Sequence, residues 1–175
     1  MKKLMMTAAS AAILAVGAGA AQATDQNINL NATVTGFCTI GGSLTPTTIN
    51  QSIPTTTTGD VVTTPINVAL GAVVCNKASD VTLSSLKGGV FSATSAPSGF
   101  QNRINYTASV SAPTAASVNA NATAVTPTAG ATASTGGATS DPAVNVTITP
   151  TLNVDPLVAA TDYSDTLTVS IVPQA

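Results

Sequence analysis

Strict two-residue alternation is the feature that most constrains this chain. In Asn27-Ile28-Asn29-Leu30-Asn31-Ala32-Thr33-Val34 the side chains of Ile28, Leu30, Ala32 and Val34 alternate with Asn or Thr. That period places one set on one face of an extended strand and cannot produce an amphipathic helix. The pattern returns through Ile104, Tyr106, Ala108 and Val110, in Val144-Asn145-Val146-Thr147-Ile148, and in Leu167-Thr168-Val169-Ser170-Ile171. Two β-branched stretches read as further strands: Val61 to Leu70 with Val73 to Cys75, interrupted by Pro65, and Val81 to Leu86, ended by Lys87-Gly88-Gly89. Thr45 to Gly59 and Pro113 to Pro142 read as polar loops, the second with weak strand character around Ser117 to Val125. No segment has a convincing helical period. Short strands joined by Gly, Pro, Thr and Ser predict an all-β antiparallel β-sandwich, and 175 residues suit a single domain.

Composition narrows the function. The chain has no His, Glu or Trp, and only 7% of its residues are charged. Without His the commonest general base and metal ligand is missing, and most nucleophilic triads cannot be assembled. Five basic and seven acidic residues with no basic run argue against a nucleic-acid partner. Asp155, Asp162 and Asp165 lie close in sequence but lack the spacing of a calcium loop, so Asp162 and Asp165 read as turn caps before the last strand. Neither an enzyme, a metal site nor a cofactor is expected. Two aromatic types and few residues of each leave no material for the girdles of an outer-membrane barrel.

The first residues read as an address. Met1-Lys2-Lys3 is followed by a small-residue apolar run from Leu4 to Ala20, then Ala21-Gln22-Ala23, the pattern a signal peptidase accepts. A signal peptide over residues 1–23 is expected, with no membrane span after its removal. Losing Lys2 and Lys3 leaves three basic and seven acidic residues, a net charge of 3 − 7 = −4. In an oxidising compartment the even pair Cys38 and Cys75 is expected to form a disulfide. A metal pair would need partner ligands, and a redox pair usually has closer spacing.

Five Asn-x-Ser/Thr sequons, at Asn31, Asn50, Asn105, Asn121 and Asn145, are what an Asn- and Thr-rich chain gives by chance. Lys77, Lys87 and Arg103 read as scattered surface charge, and Tyr163 as a packed ring with its hydroxyl on a backbone partner. The best amphipathic strand lies just after the cleavage site, where most domains fray. The residues alone leave two readings open. It is the first strand of its own sheet, or it completes the sheet of another subunit.

Three motifs bear on that choice. Leu30-Asn31-Ala32-Thr33-Val34-Thr35-Gly36-Phe37-Cys38-Thr39-Ile40-Gly41-Gly42-Ser43 joins an alternating strand to a first Cys and a Gly-Gly turn. The second Cys stands in Val73-Val74-Cys75-Asn76-Lys77-Ala78-Ser79-Asp80-Val81-Thr82-Leu83, and the chain closes on Asp162-Tyr163-Ser164-Asp165-Thr166-Leu167-Thr168-Val169-Ser170-Ile171. Together these resemble archaic chaperone–usher pilins and the related spore coat protein U-like domains. Two departures stand out: the stretch from Ser92 to Val144 matches poorly, and the chain runs on through Val172-Pro173-Gln174-Ala175 rather than ending on an aromatic residue.

The resemblance implies an incomplete immunoglobulin-like antiparallel β-sandwich over residues 36–175, preceded by an N-terminal donor strand in residues 24–35. Ile28, Leu30, Ala32 and Val34 would enter a neighbouring subunit's groove, and Leu167, Val169 and Ile171 would lie on the strand that borders the groove. The implied partners are neighbouring pilin subunits in a head-to-tail polymer, a periplasmic chaperone and an outer-membrane usher. The implied location is the cell surface, in a fimbria (pilus) of the kind that serves adhesion and biofilm. The competing expectation is a secreted coat-type or glycan-binding sandwich that never polymerises.

Overall fold

The computed structural model describes residues 31–44, 47–49 and 51–175. Its strands, in chain order, are β1 (Cys38–Ile40), β2 (Thr47–Ile49), β3 (Ile66–Cys75), β4 (Ser79–Ser85), β5 (Val90–Phe91), β6 (Arg103–Ile104), β7 (Tyr106–Val110), β8 (Ala116–Ala120), β9 (Thr128–Ala129), β10 (Ala133–Ser134), β11 (Thr139–Pro150) and β12 (Leu167–Pro173). There is no helix among the described residues, and every pairing between named strands is antiparallel. One sheet has the order β1-β3-β11-β7-β8 and the other β10-β4-β12-β2, with β9 also on β4; β5 and β6 form a separate ribbon.

The alternation seen in the sequence sets which face is inward. Tyr106, Ala108 and Val110 of β7 are buried while Thr107 and Ser109 are exposed, and β8 repeats this with Ala116, Val118 and Ala120 inside. From the second sheet Val81 and Leu83 of β4, with Leu167 and Val169 of β12, meet Val144, Val146 and Ile148 of β11. Two inward faces pressed together form one apolar core within the compact unit Val34–Ala175.

β3 and β11 carry the longest ladder, and it is bent. Asp141 pairs with Val73 and Val144 with Gly71, so one more residue lies on the β11 side; the register shifts again before Asn145 pairs with Ala69. Gly71 has φ 83°, a left-handed conformation that an L side chain rarely adopts, and Pro142 needs no ladder donor at the bulge.

The two sheets approach most closely along one seam; along the other, β1 also reaches β12. On the closing side β8 lies against β4 and β9. There a Cβ on Gly130 would fall 1.9 Å from the Ser117 carbonyl oxygen, so only glycine fits. On the other side the edge strands are β1 in the first sheet and β12 with β2 in the second.

Several expectations need correction. Thr45 to Gly59 is not wholly loop, because Thr47–Ile49 pairs with the edge of β12. Pro113 to Pro142 is not a loop: it holds β8, which overlaps the strand character expected around Ser117 to Val125, and also β9, β10 and the start of β11. The expected strand at Val61 begins only at Ile66, after Pro65, whose missing N–H cannot join a ladder. From there β3 runs unbroken to Cys75 by way of Gly71. The first half of the alternating N-terminal segment lies outside the described residues; its second half, Asn31 to Val34, is exposed and in no strand.

Candidate functional site

β12 is the strand at which the second sheet stops short. The Thr166 carbonyl accepts from the Leu86 amide at 2.9 Å, and the Gln174 amide donates to the Ala78 carbonyl at 2.9 Å, both toward β4. In an antiparallel ladder successive residues point their backbone groups to opposite sides. Leu167, Val169 and Ile171 therefore direct theirs away from β4, and Pro173, which has no N–H, its carbonyl alone. β2 pairs with Leu167, Thr168 and Val169 only. From Ser170 to Pro173 this edge has no strand partner among the described residues.

Beside that bare stretch an apolar cleft of about 780 Å3 opens between β12 and β1. Its apolar lining includes Phe37, Leu44, Ile171, Val172 and Pro173. Leu44 is 72% exposed, Val172 55% and Phe37 41%, so large side chains that would normally be covered face solvent together. A second cleft of about 430 Å3 lies at the opposite end of β2, lined by Ile49, Ile53, Ile104, Tyr106, Tyr163 and Leu167 among others. β2 thus sits between two clefts along one seam.

Of the residues expected to border a groove, Leu167 and Val169 pair with β2 and are buried in the core, whereas Ile171 is half-buried at the bare edge and lines the larger cleft. Of the expected donor residues, Val34 is 78% exposed and Ala32 is exposed. Ile28 and Leu30 lie outside the described residues. Cys38 and Cys75 are joined as a disulfide between directly paired positions of β1 and β3. This ties the β1 wall of the cleft to the longest ladder in the molecule.

Tyr106, Ser85 and Asp165 form a polar anchor behind the smaller cleft. The Asp165 carboxylate accepts from Ser85 Oγ at 2.5 Å, Tyr106 Oη at 2.7 Å, and the backbone amides of Lys87 at 2.9 Å and Thr166 at 2.7 Å. These bonds link β7 of the first sheet, β4 of the second and the approach to β12. Burial raises the Tyr106 phenol well above its ordinary value, and the Asp165 carboxylate adds to the rise. Asp162 accepts from Ser92 Oγ and from the Ala93 amide at 2.8 Å, and these bonds, the Ser92 hydroxyl first, hold its carboxyl below the usual range. Both acids therefore anchor distant strands and loops rather than merely capping a turn. Burial, with a smaller contribution from Asp162, also raises the Tyr163 phenol, whose hydroxyl donates to the Val158 carbonyl at 2.9 Å. The role of Tyr106 was missed by counting it only as an apolar position; a phenol on an inward face, which needs a buried acceptor, was the available signal.

Among the described residues no group of three His, Cys, Asp or Glu side chains could hold a metal ion, and no helix is long and apolar enough to cross a membrane. The disulfide is compatible with a periplasmic or extracellular setting. No protein-family model, curated protein or solved structure matches this chain.

Proposed function

We propose that this chain is a structural subunit of a surface fimbria, exported by the signal peptide in residues 1–23 and polymerised by donor-strand exchange. In this reading the sandwich is an immunoglobulin-like fold short of one edge strand. The alternating segment Asn27–Val34 of one subunit supplies the missing strand of the next. A periplasmic chaperone holds the open edge before polymerisation, and an outer-membrane usher directs subunit joining.

The observation that carries the reading is the bare edge of β12 from Ser170 to Pro173, facing an apolar cleft walled by Phe37 and Leu44. Exposed strand edges pair readily with other chains, and proteins normally blunt them with charge or proline; this stretch carries no charge and has proline only at its last position, Pro173. A strand laid there gains backbone bonds on one side and apolar burial on the other. Burying each large donor side chain contributes about 1.5–3 kcal/mol. Because donor and acceptor are different surfaces of the same chain, the association is head to tail and builds an open filament.

Deleting Asn27–Val34 provides the test. The truncated protein is expected to be exported, to remain monomeric in size-exclusion chromatography and to show no fibres in electron micrographs. Normal fibres from the truncated protein would rule out the donor assignment.

A further inference from the structure

We infer that β2 is a placeholder: Thr47–Ile49 occupies part of the acceptor edge in the free subunit and must leave β12 before a donor strand can seat fully. This rests on the donor-strand reading and adds a regulated step to it.

The argument is one of register. β12 has seven residues, Leu167–Pro173. The apolar positions of the donor segment, from Ile28 to Val34, also span seven. Laid antiparallel to β12, the direction β2 already takes, Val34 falls opposite Leu167, Ala32 opposite Val169, Leu30 opposite Ile171 and Ile28 opposite Pro173. All four donor side chains then share the inward face of Leu167 and Val169. β2 pairs Ile49 with Leu167 and Thr47 with Val169, so it holds the places this alignment gives to Val34 and Ala32. Ile49 is only 6% exposed and belongs to the core cluster, so its side chain already fills the inner position. With β2 in place, the bare edge is only the four residues Ser170–Pro173, too short for four alternating apolar positions.

The two clefts fit the same account. They lie at the two ends of β2, the larger at Ile171 and the smaller at Leu167 and Ile49. An incoming strand first contacts the bare Ile171 end and then displaces β2 residue by residue toward Leu167. The three-residue β2 surrenders to a seven-residue competitor because the latter pairs with more of the edge. The fraction of subunits with β2 detached scales the apparent affinity for a donor.

A reversible lock tests this. Thr48 and Thr168 are directly paired, and the backbone groups of Thr168 point toward β4, so theirs is the close, non-hydrogen-bonded type of pair suited to a disulfide. In the double variant T48C/T168C, made in the chain from Thr24 onward with Leu30→Asp throughout so that no copy's own donor strand fills the edge, oxidation holds β2 on β12. The engineered link, at a position of β12 on the face opposite the buried Leu167 and Val169, is opened by mild reductant while the buried Cys38–Cys75 bridge is retained, as verified by mass spectrometry. The probe is a fluorescent synthetic peptide of residues 25–36, and its uptake rate is read by anisotropy. The oxidised form is expected to take up peptide roughly tenfold more slowly or worse, with reduction restoring the rate of the Leu30→Asp parent. Equal uptake by oxidised and reduced forms overturns the placeholder and leaves the donor reading standing. No uptake by the Leu30→Asp parent or by either form overturns the donor reading, and the placeholder with it.

Discussion

Asp165 joins groups that would otherwise separate. Its carboxylate is held by Ser85, Tyr106 and the Lys87 amide, so one side chain links both sheets at the start of β12. Hydrogen bonds to a charged acceptor contribute about 1.5–3 kcal/mol each, more than a neutral pair, and removing a partner leaves a buried polar group unsatisfied. The arrangement has a signature at alkaline pH. Below pH 10, the ordinary value, Tyr106 is protonated in both folded and unfolded chains and its contribution is fully present. Above it the unfolded chain releases the proton while the folded one, with its raised value, keeps it. The contribution is then lost by about 1.4 kcal/mol per pH unit as pH climbs toward the folded value. Urea midpoints measured from neutral pH to about pH 11 are expected to fall steeply past pH 10, with a shallower fall in Tyr106→Phe. The variant does not abolish the fall, because Tyr163 is also raised. Parallel curves for the two proteins would mean that Tyr106 ionises freely in the folded state.

Among the elements, the closing seam is the tightest contact between the sheets. Gly130→Ala would drive a methyl into the Ser117 carbonyl, and its neighbourhood also includes the Leu83 carbonyl oxygen at 3.3 Å, so the backbone itself must shift. A loss of about 1–3 kcal/mol is expected for such overpacking, read as a lower urea midpoint with an unchanged slope. An unaltered midpoint would show that β9 can move off β8 at no cost. Nothing in the sequence marks Gly130 apart from the other glycines of an Ala- and Thr-rich stretch. The strands that could be read beforehand are those whose inward residues are large: Val144, Val146 and Ile148, or Leu167 and Val169. β8 also alternates, but two of its three buried residues are Ala116 and Ala120, whose small side chains give a weak apolar signal inside a polar stretch. β2 was hidden for a different reason. Three residues beside Pro46 have no local period, and what makes them a strand is an edge more than a hundred positions away in β12. The groove-bordering strand was legible as a strand; its bare edge and the facing wall of Phe37 and Leu44 depend on how two sheets end, which no local pattern encodes.

At the scale of the whole molecule, separate donor and acceptor surfaces make the polymer directional, and two single variants can expose that. Leu30→Asp places a charge on the donor strand and leaves the cleft intact; Ile171→Asp places one on the cleft wall and leaves the donor intact. An unpaired charge entering an apolar site is expensive, so each variant alone should stay monomeric. Mixed in equal amounts they should form a one-to-one dimer and stop, because the Ile171→Asp subunit can donate to the Leu30→Asp subunit but neither remaining end can extend. A self-complementary interface predicts otherwise: the same patch meets itself, and mixing two damaged copies rescues at most a weakened pair of any composition. Sedimentation of differently labelled variants separates the cases. A heterodimer containing one of each supports a donor strand and acceptor edge on opposite surfaces of every subunit. Homodimers of either variant, or fibres from the mixture, would refute that arrangement. The same logic makes the outcome insensitive to salt: with only 7% of residues charged, joining is driven by apolar burial and backbone pairing rather than by fields that ions screen.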